Sequence, residues 1–562
     1  MDYSKLVGVY QKLEKTTKRL EKTEIIREFL EKANKQDLSN VIHLLQGKIF
    51  PDYDERKIGM SSRLILKVIA NSTGNNVNEV ERLWKEKGDL GKVTETLISK
   101  KKQLTLSSNK INLDKVVNNI RRLATIEGEG TVDKKIQLVS ELLTSAKPLE
   151  ARFIVSTILE ELRVGVASGI IRDALAKLFN IDVEKIEEAY NLTTDYGEVA
   201  QLLKEHGING LNKISVKPGI PIKSMLAILA DDVEETFEAL GKPAQFEYKI
   251  DGFRVQISKD KDIKIFTRNL EDVTKQFPDI IEYVKQNVKA KRFILDGEAV
   301  SYDTKTKKHL PFQTISQRIK RKYDIEKTAK EFPVELNLFD ILYLNGKSLI
   351  NEPLLKRREH LEKIVKQVPG KIILTKKLIT EDIKDAKEFF EESLKNGNEG
   401  LVIKNINSNY VAGRYVNGWM KLKNVLEPLD LVIVKAEYGQ GKRAKWITSY
   451  TVACKSGEKL LEVGKVSTGL KEKAAGLTYL EMTKMLKPLI ISEKGREAIV
   501  KPKIIIEVGY EEIQKSPSYS SGFGLRFPKL LSERTNEKKL DEINTIEDIK
   551  KIYNSQRAKK HN

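Results

Sequence analysis

The sequence has almost no cysteine and little histidine. Cys454 is the single cysteine among 562 residues, so neither an intrachain disulfide nor a multi-cysteine zinc site can form. The five histidines lie far apart in the sequence, at His43, His206, His309, His360 and His561. No histidine metal cluster is visible in this spacing. The sequence therefore excludes disulfide scaffolds and cysteine-based zinc domains.

Long apolar runs are also absent. Every apolar run is short or interrupted by charge, which argues against a membrane-spanning helix. The N-terminal stretch MDYSKLVGVYQKLEKTTKRL lacks the apolar block of a signal peptide. We therefore expect a soluble, cytoplasmic protein with no membrane partner.

Positive charge is in excess. The chain has 100 Lys and Arg against 80 Asp and Glu, a formal net charge of +20. Such a balance attracts a polyanion, and nucleic acid is the leading candidate. Lys and Glu enrichment could instead serve solubility or thermal stability, and composition alone does not choose between these readings.

The length predicts about three or four domains, since one hydrophobic core rarely supports so long a chain. Up to about residue 210 the apolar residues follow helical spacing, as at Tyr3, Leu6, Val7, Tyr10 and Leu13. The segment ISVKPGIPIKSMLA, 214–227, contains two prolines and a glycine and predicts a linker.

Strand patterns begin after this linker. From about 225 to 425, runs such as QFEYKIDG, RFILDGEAV and EGLVIKNI alternate with charged helical stretches, which predicts a mixed α/β domain. After Pro428, short alternating strands separated by glycine turns favour a small β-barrel. The charged C-terminal tail is predicted to be helical.

The stretch FEYKIDGFRVQI, 246–257, carries the most specific chemistry. If residues 246–251 form a strand, Glu247, Lys249 and Asp251 share one face. A lysine is nucleophilic as a neutral amine, and adjacent carboxylates oppose loss of its proton. A bound metal or further basic groups would have to compensate. The alternative is a charged strand that merely faces solvent.

The spacing E-x-K-x-D-G-x-R resembles the nucleotidyl-transfer motif of ATP-dependent DNA ligases, RNA ligases and messenger-RNA capping enzymes. In that superfamily the lysine becomes covalently attached to a nucleoside monophosphate. The resemblance implies this role for Lys249, with Glu247 and Arg254 as nucleotide contacts and Asp251 as a further site residue. Arg254 offers a planar fork to phosphate or ribose oxygens.

Five further segments follow in the order that this superfamily uses: FTRNLEDVT (266–274), LDGEAV (295–300), LNLFDILYLNG (336–346), EGLVIK (399–404) and WMKLK (419–423). The resemblance implies that Arg268 approaches the nucleotide, that Glu298 lies near ribose and metal, and that Phe339 stacks on the purine. Each has a structural alternative: a turn arginine, an Asp-Gly hairpin turn and a buried strand phenylalanine.

The last two segments carry four more charged residues. The resemblance implies a metal-associated role for Glu399 and a nucleotide-side role for Lys404. It also implies that Lys421 and Lys423 face phosphates, and period-two geometry puts these two lysines on one strand face. All the segments occur in order between residues 247 and 423, which makes coincidence a poor explanation.

The flanking regions resemble archaeal ATP-dependent DNA ligases and their eukaryotic replicative relatives. LLQGKIFPDYDERKIGMS, 44–61, and ILEELRVGVASGIIRDALAK, 158–177, are similar to their N-terminal DNA-binding domain. We therefore expect a multidomain protein: an all-α DNA-binding domain at 1–213, an α/β adenylation domain at 214–425, and a β-barrel OB-fold with a helical tail at 426–562.

The resemblance implies an enzyme that seals nicks in double-stranded DNA through a lysyl-AMP intermediate and a DNA-adenylate. It implies ATP and Mg²⁺ (or Mn²⁺), with Glu298 and Glu399 as candidate metal ligands, since hard cations prefer oxygen. Work in replication, repair and recombination, a place in the nucleoid and a monomeric state are further expectations. A sliding clamp is a further candidate partner, although the sequence shows no clear clamp-binding motif.

Two segments depart from the family pattern. The family usually has an arginine five residues after the tyrosine that begins YVAGRYVNGW, whereas Arg414 follows Tyr410 by four. We still expect Arg414 to contact the nucleotide. In LRFPKLLSERTNEK, 525–538, the usual R-x-D-K ending is replaced by Arg534-Thr-Asn-Glu, with Lys538 one place late. By resemblance, this segment helps to orient pyrophosphate, and Arg534 is the residue we assign to it.

Other functions remain open from the residues themselves. An RNA ligase or a GTP-using capping enzyme fits the motifs, although the long helical region argues against both. A catalytically silent DNA-binding scaffold fits the charge, although it would need no ordered nucleotide pocket. A bacterial NAD-dependent ligase is disfavoured because its cysteine zinc finger cannot be built from Cys454 alone. The choice between ATP, ADP and GTP, and between metals, is left open.

Overall fold

The computed structural model describes residues 1–101, 111–128, 130–310, 312–319, 321, 323–413, 415–423, 426–440, 443–470 and 477–561. Within these ranges no helix is both long enough and apolar enough to cross a membrane.

The N-terminal region is helical, as the apolar spacing predicts. Tyr3, Leu6, Val7, Tyr10 and Leu13 are all buried on one side of the first helix. The helices are α1 Tyr3–Glu14, α2 Arg19–Lys32, α3 Lys35–Leu45, α4 Ser62–Thr73, α5 Val77–Lys87, α6 Leu90–Ser99, α7 Leu113–Leu123, α8 Thr131–Ser145, α9 Pro148–Ile158, α10 Ser168–Phe179, α11 Val183–Thr193 and α12 Tyr196–His206. A 3-10 turn, Gly207–Lys213, follows, and residues 214–225 then form neither helix nor strand.

The middle region mixes strands and helices. Its strands are β1 Leu226–Ala230, β2 Ala244–Lys249, β3 Phe253–Lys259, β4 Ile263–Thr267, β5 Phe293–Asp303, β6 Lys308–His309, β7 Val334–Leu344, β8 Lys347–Ser348, β9 Ile372–Leu374, β10 Lys377–Thr380, β11 Gly400–Asn405 and β12 Tyr415–Lys423. Its helices are α13 Val233–Leu240, α14 Pro278–Asn287, α15 Phe312–Ile319, α16 Ile325–Glu331, α17 Leu354–Ile364 and α18 Ile383–Lys395. The mixed α/β prediction is confirmed.

These strands form two sheets. One has the order β1-β12-β11-β2-β10, and the other has the order β4-β3-β5-β7-β8, with β6 beside β5 and β9 beside β7. The chain passes from the first sheet to the second between β2 and β3, through Ile250–Gly252. A side chain at Gly252 would collide with the carbonyl oxygen of Ala299 on β5, so the crossing requires glycine.

One local expectation is wrong, and one structural alternative is excluded. The strand containing Lys249 ends at that residue, so Asp251 does not continue the face of Glu247 and Lys249. The segment 295–300 lies within β5 and is not an Asp-Gly hairpin turn, because Gly297 is paired with β3 and β7. Burial of the flanking apolar residues on both sides favours the continuous strand.

The C-terminal region is rich in strands. They are β13 Leu429–Tyr438, β14 Ile447–Ser456, β15 Lys459–Val466, β16 Ile490–Lys494, β17 Glu497–Val500, β18 Ile505–Gly509, β19 Glu512–Lys515, β20 Phe523–Arg526 and β21 Lys529–Glu533. The order of the main sheet is β15-β14-β13-β17-β16, with β18 pairing β13 and β21, while β19 and β20 pair with each other. The helices are α19 Tyr479–Leu486 and α20 Ile546–His561, so the tail is helical as predicted.

A buried ion pair fixes α17 to β7 in the middle region. Arg357 and Asp340 are both fully buried, and Nε and Nη2 of Arg357 donate to the two carboxylate oxygens of Asp340 at 2.8 and 3.0 Å. Nη1 of Arg357 donates to the carbonyl oxygens of Glu352 and Ser408 at 2.6 and 3.0 Å. The pair therefore ties a helix, a strand and the chain leading towards β12.

We predict that Asp340→Ala strongly lowers the stability of the middle region. The substitution leaves the Arg357 guanidinium buried without its carboxylate, which costs about 3–5 kcal/mol. Thermal unfolding followed by circular dichroism measures the change in midpoint. The matched control is Glu359→Ala, which removes the exposed partner of Lys356 and should change the midpoint little. Equal midpoints for both variants would contradict the role of the buried pair.

Candidate active site

A cavity of about 640 Å³ lies where the two sheets of the middle region meet the C-terminal region. Most of the site residues expected from the sequence line it: Glu247, Lys249, Arg254, Arg268, Glu298, Phe339, Glu399, Lys404, Lys421 and Lys423. Asp251 and Arg534 do not line the cavity, and Arg414 lies outside the described residues.

The register of three adjacent strands brings these side chains together. β11 pairs antiparallel with both β2 and β12, so residues align in rows across the sheet. The rows are Gln245–Lys404–Trp419, Glu247–Val402–Lys421 and Lys249–Gly400–Lys423. Successive rows are two residues apart, so all three face the same side. The apolar residues between them, such as Phe246, Ile403 and Leu422, are buried on the opposite side.

Lys249 stands at the end of its strand in contact with a carboxylate. Its Nζ lies 2.7 Å from Oε2 of Glu399, and Nζ of Lys423 lies 3.2 Å from the same oxygen. The backbone N–H of Glu399 also donates to the carbonyl oxygen of Lys249 at 2.8 Å. Glu399 therefore holds two lysines close together that would otherwise repel each other.

The pKa values of the site carboxyl groups Glu298 and Glu399 are shifted in opposite directions. Burial raises the pKa of Glu298 to about 8, and Glu399 and Asp296 add to the shift against the opposing effect of Lys249 and Arg254. Although burial alone would raise it, the contacts with Lys249 and Lys423 lower the pKa of Glu399. A cation near Glu298 would favour its ionised form.

Arg254 is fixed in the wall of the cavity by a second carboxylate. Its Nε and Nη2 donate to the two oxygens of Asp296 at 3.0 and 2.6 Å, and its Nη1 donates to the carbonyl oxygen of Met225 at 2.6 Å. The hydroxyl of Tyr410 donates to Asp296 at 2.9 Å and accepts from the N–H of Met225 at 3.0 Å. Since Glu298 lies opposite Arg254 in the β3–β5 pairing, the network also sets the place of Glu298.

The deep end of the cavity combines a buried ion pair with aromatic rings. Nζ of Lys404 donates to Oε2 of Glu247 at 2.6 Å, and both side chains are buried. Burial lowers the pKa of Lys404 although Glu247 opposes the shift. The same Nζ lies 4.5 Å from the ring centroid of Phe339 and 4.3 Å from that of Trp419. An aromatic face and a carboxylate are therefore both available to a flat polar ligand.

The mouth of the cavity is positively charged. Lys421 and Lys423 face it together, as the alternation predicts, and Arg268 approaches from the turn after β4. Burial lowers the pKa of Lys421, and Lys423 and Lys249 add to the effect. A nearby anion would favour the charged form of lysines crowded in this way. The turn-arginine alternative for Arg268 and its predicted approach to the site are therefore compatible.

The C-terminal region contributes residues that the sequence analysis missed. Glu511, Arg526 and Phe527 line the cavity, and Glu511 pairs with Lys423 at 2.9 Å. Nη1 of Arg526 lies 3.6 Å from Oδ1 of Asp251. Asp251 therefore contacts a residue of the cavity wall without lining the cavity itself. The sequence offered a signal for Arg526, because this residue belongs to the segment 525–538, from which Arg534 was chosen.

Arg534 lies elsewhere in the C-terminal region. Its Nη2 is 2.9 Å from Glu507 and its Nε is 3.8 Å from Asp430, so it joins β21 to β18 and β13. Lys538 also pairs with Asp430. The sequence analysis likewise missed Asp296, Tyr410 and Trp419. All three stand inside segments that resemble the family, but their roles depend on contacts with distant parts of the chain.

The carboxylates suit a hard divalent cation only in part. Among the described residues no group of three or more His, Cys, Asp or Glu side chains forms a metal site. Glu399 is close enough to Glu298 to help raise its pKa, and carboxylate oxygens are the ligands that Mg²⁺ prefers. Mg²⁺ often keeps several waters and takes substrate phosphates as ligands, so two carboxylates fit such a shared site.

Family models match most of the chain. Residues 2–176 match the model described as DNA ligase N terminus, residues 224–423 match the ATP dependent DNA ligase domain, and residues 443–537 match the ATP dependent DNA ligase C terminal region.

Curated relatives match over the full length. The chain is 46% identical to a DNA ligase of Nanoarchaeum equitans, with 100% of each chain covered. It is 42% identical to a DNA ligase of Methanopyrus kandleri, covering 98% of this chain and 99% of the relative. The solved structure Pmar-Lig_PreS3 has a similar fold, with a TM-score of 0.53, 17% identity and coverage of 94% of this chain and 99% of that one.

We predict that Tyr410→Phe destabilises the wall around Arg254. The change removes a hydroxyl that contacts Asp296 and Met225 and leaves buried polar atoms unpaired, which costs about 1–3 kcal/mol. Denaturant unfolding measures the effect. Tyr438→Phe is the matched control, because the Tyr438 hydroxyl contacts Glu493 at the surface. Loss of this hydroxyl should lower the free energy of unfolding less. A smaller loss of unfolding free energy for Tyr410→Phe than for this control would contradict the stabilising role of the network.

Proposed function

The chain belongs to the ATP-dependent DNA ligase family, and from this premise we propose how its residues seal nicks in duplex DNA. It is an enzyme that uses ATP to join DNA strands. The observation that carries the residue assignment is the position of Lys249. Its amine lies at the mouth of a cavity with an aromatic, carboxylate-bearing deep end and a lysine-rich entrance.

In the first step Lys249 is the nucleophile. Its Nζ attacks the α-phosphorus of ATP, a phosphorus–nitrogen bond forms, and the bond to pyrophosphate breaks. Attack requires the neutral amine, so the ion pair between Lys249 and Glu399 has to open first. Lys421, Lys423 and Arg268 offset the charge of the phosphates as pyrophosphate leaves.

The next two steps transfer AMP to DNA and release it. An oxygen of the 5′-phosphate at the nick attacks the phosphorus of lysyl-AMP, which forms a DNA-adenylate and frees Lys249. The 3′-hydroxyl then attacks the 5′-phosphate, the phosphodiester bond forms, and AMP leaves. Replication, repair and recombination all leave such nicks, and we assign the enzyme to these processes.

The cavity divides into a base end and a phosphate end. We assign Glu247, Phe339 and Lys404 to the base end, because a buried carboxylate and an aromatic ring suit a purine. Arg254 is a positioning residue for Glu298, since its guanidinium is largely engaged by Asp296 and Met225. Arg414, outside the described residues, remains a proposed nucleotide contact from the family pattern alone.

Glu298 and Glu399 are the residues proposed to hold Mg²⁺ or Mn²⁺. When bound, the ion neutralises phosphate charge. Both glutamates line the cavity, which supports this proposal, and a nearby cation would favour the ionised form of Glu298. Glu399 would then exchange part of its contact with the lysines for the ion.

We propose three domains, at 1–213, 214–425 and 426–562, of which the last is an OB-fold β-barrel. The strand order of the C-terminal sheet and the start of strands after residue 225 support this division. The helical and C-terminal domains would contact DNA phosphates without regard to sequence, consistent with the net charge of +20. A monomeric state, a sliding-clamp partner and a place in the nucleoid rest on the family resemblance.

We predict that Lys249→Ala abolishes both adenylation and sealing. Incubation with α-labelled ATP, Mg²⁺ and nicked DNA should give a labelled adduct and sealed strands with the wild-type protein and neither with the variant. Glu359→Ala is a control for substitution at the surface of the same region. Persistent labelling of Lys249→Ala would refute the nucleophile, and labelling of wild type without sealing would refute the transfer steps.

We also predict that Arg526→Met slows the first step. Arg526 brings positive charge to the cavity beside Asp251, and loss of one such group should slow lysyl-AMP formation by about 10- to 100-fold. Arg534→Met is the matched control, since its guanidinium contacts Glu507 and Asp430 away from the cavity. Single-turnover labelling measures both variants, with thermal unfolding as the check on folding. A slower rate in Arg534→Met than in Arg526→Met would reverse this assignment.

A further inference from the structure

A buried asparagine of the N-terminal helical region contacts the middle region. Asn191 lies in the last turn of α11 and is 5% exposed. Its Nδ2 donates to the carbonyl oxygen of Ala412, and its own carbonyl oxygen accepts from the N–H of Lys223, each at 2.9 Å. Lys223 precedes β1 and Ala412 precedes β12, so this one residue holds two segments that are far apart in the chain.

The side chain of Asn191 fits closely against Gly413. A Cβ at Gly413 would lie 2.6 Å from both Cγ and Nδ2 of Asn191, and the φ of this glycine is +75°. The position therefore requires glycine. The N–H of Gly413 donates to the carbonyl oxygen of Ser224 at 3.2 Å. The two segments that Asn191 holds thus also contact each other.

The same two segments build the wall that holds Arg254. The N–H of Met225 donates to the hydroxyl of Tyr410 at 3.0 Å. The carbonyl oxygen of Met225 accepts from Nη1 of Arg254, and the hydroxyl of Tyr410 donates to Asp296. Met225 and Tyr410 each stand two residues from a residue that Asn191 contacts. A continuous run of contacts therefore leads from the helical region to the guanidinium that sets the place of Glu298.

The contact is suited to fixing a position. The amide of Asn191 donates to a single backbone oxygen, which belongs to the buried residue Ala412. Without the amide this carbonyl loses its donor, and leaving such a group unpaired is unfavourable. The segment would then shift, and Tyr410 would shift with it. A displacement of about 1 Å far from the chemistry is enough to slow a reaction about 100-fold.

Resting on the proposed function, we propose that Asn191 is a positioning residue for the formation of lysyl-AMP. It keeps Met225 and Tyr410 in the arrangement that holds Arg254 and, beside it, Glu298. The helical region therefore contributes to the first step, in which no DNA takes part, as well as to the binding of DNA.

Asn191→Ala tests this role in the absence of DNA. Single-turnover labelling at saturating ATP should show lysyl-AMP formation about three- to tenfold slower than in wild type, the effect of one hydrogen bond. The ATP concentration that gives the half-maximal rate should stay near that of wild type, because the contacts at the base end are untouched. Asn191→Asp keeps the shape but replaces the donor with an acceptor, so it should be at least as slow.

Asn119→Ala is the matched control. Asn119 is also a buried asparagine, at 7% exposed, and its Nδ2 donates to the carbonyl oxygen of Leu138 within the helical region. Its loss should lower the unfolding midpoint about as much as Asn191→Ala does, yet leave the rate of lysyl-AMP formation unchanged. Equal slowing in both variants, or a wild-type rate in Asn191→Ala, would overturn the proposal.

A double-mutant cycle with Gly413→Ala tests the contact itself. The new methyl group would displace the side chain of Asn191, so Gly413→Ala should also slow lysyl-AMP formation. In the Asn191→Ala background the same change should slow it less, since there is no carboxamide left to displace. Independent effects, in which the two losses multiply, would contradict a role that acts through this contact.

DNA binding separates this role from a contact with DNA. Binding of a fluorescent nicked duplex without ATP should be the same in Asn191→Ala and wild type. Weaker binding by Asn191→Ala together with an unchanged rate of lysyl-AMP formation would overturn the proposal in favour of a DNA contact. Failure of the wild-type protein to form lysyl-AMP would instead count against the proposed function.

Discussion

The site depends on the register between β2, β11 and β12. Three rows of side chains cross these strands on one face, and a slip of one residue in either pairing would turn the charged residues of a strand to the apolar side. The buried side of the same strands specifies the register, because Phe246, Ile403 and Leu422 must pack together. The apolar core therefore determines where the charged groups of the cavity stand.

Charge balance along these rows follows from the same geometry. Lys249 and Lys423 belong to one row, whose middle position is Gly400, and Glu399 precedes that glycine. The glycine has a φ of +145°, and a side chain there would collide with the carbonyl oxygen of Leu422. The missing side chain leaves room above the row, and Glu399 contacts both lysines there. Glu399 thus holds the two lysines at the mouth of the cavity, although the glycine between them in the row has no side chain.

Local sequence patterns predicted much of this site and missed contacts between distant strands. Alternation within a strand gave the shared face of Lys421 and Lys423, and it correctly put Glu247 and Lys249 on one face of β2. The same rule failed for Asp251, because the chain leaves the sheet after Lys249 to reach β3. The contact of Arg254 with Asp296 joins two strands, and Arg526 arrives from the C-terminal region, so neither can be read from spacing within one segment.

The contacts that close the mouth are weaker than those that build the deep end. Glu511 meets Lys423 at 2.9 Å and Arg526 meets Asp251 at 3.6 Å, with partly exposed side chains in each pair. Such pairs contribute about 0–1 kcal/mol each. At the deep end, Glu247 and Lys404 are fully desolvated, and separating them would leave a buried charge unpaired. On the proposed mechanism a nick must reach the adenylate on Lys249 after the first step, and the weaker contacts are those at the mouth of the cavity. The base end can therefore stay formed while the mouth opens.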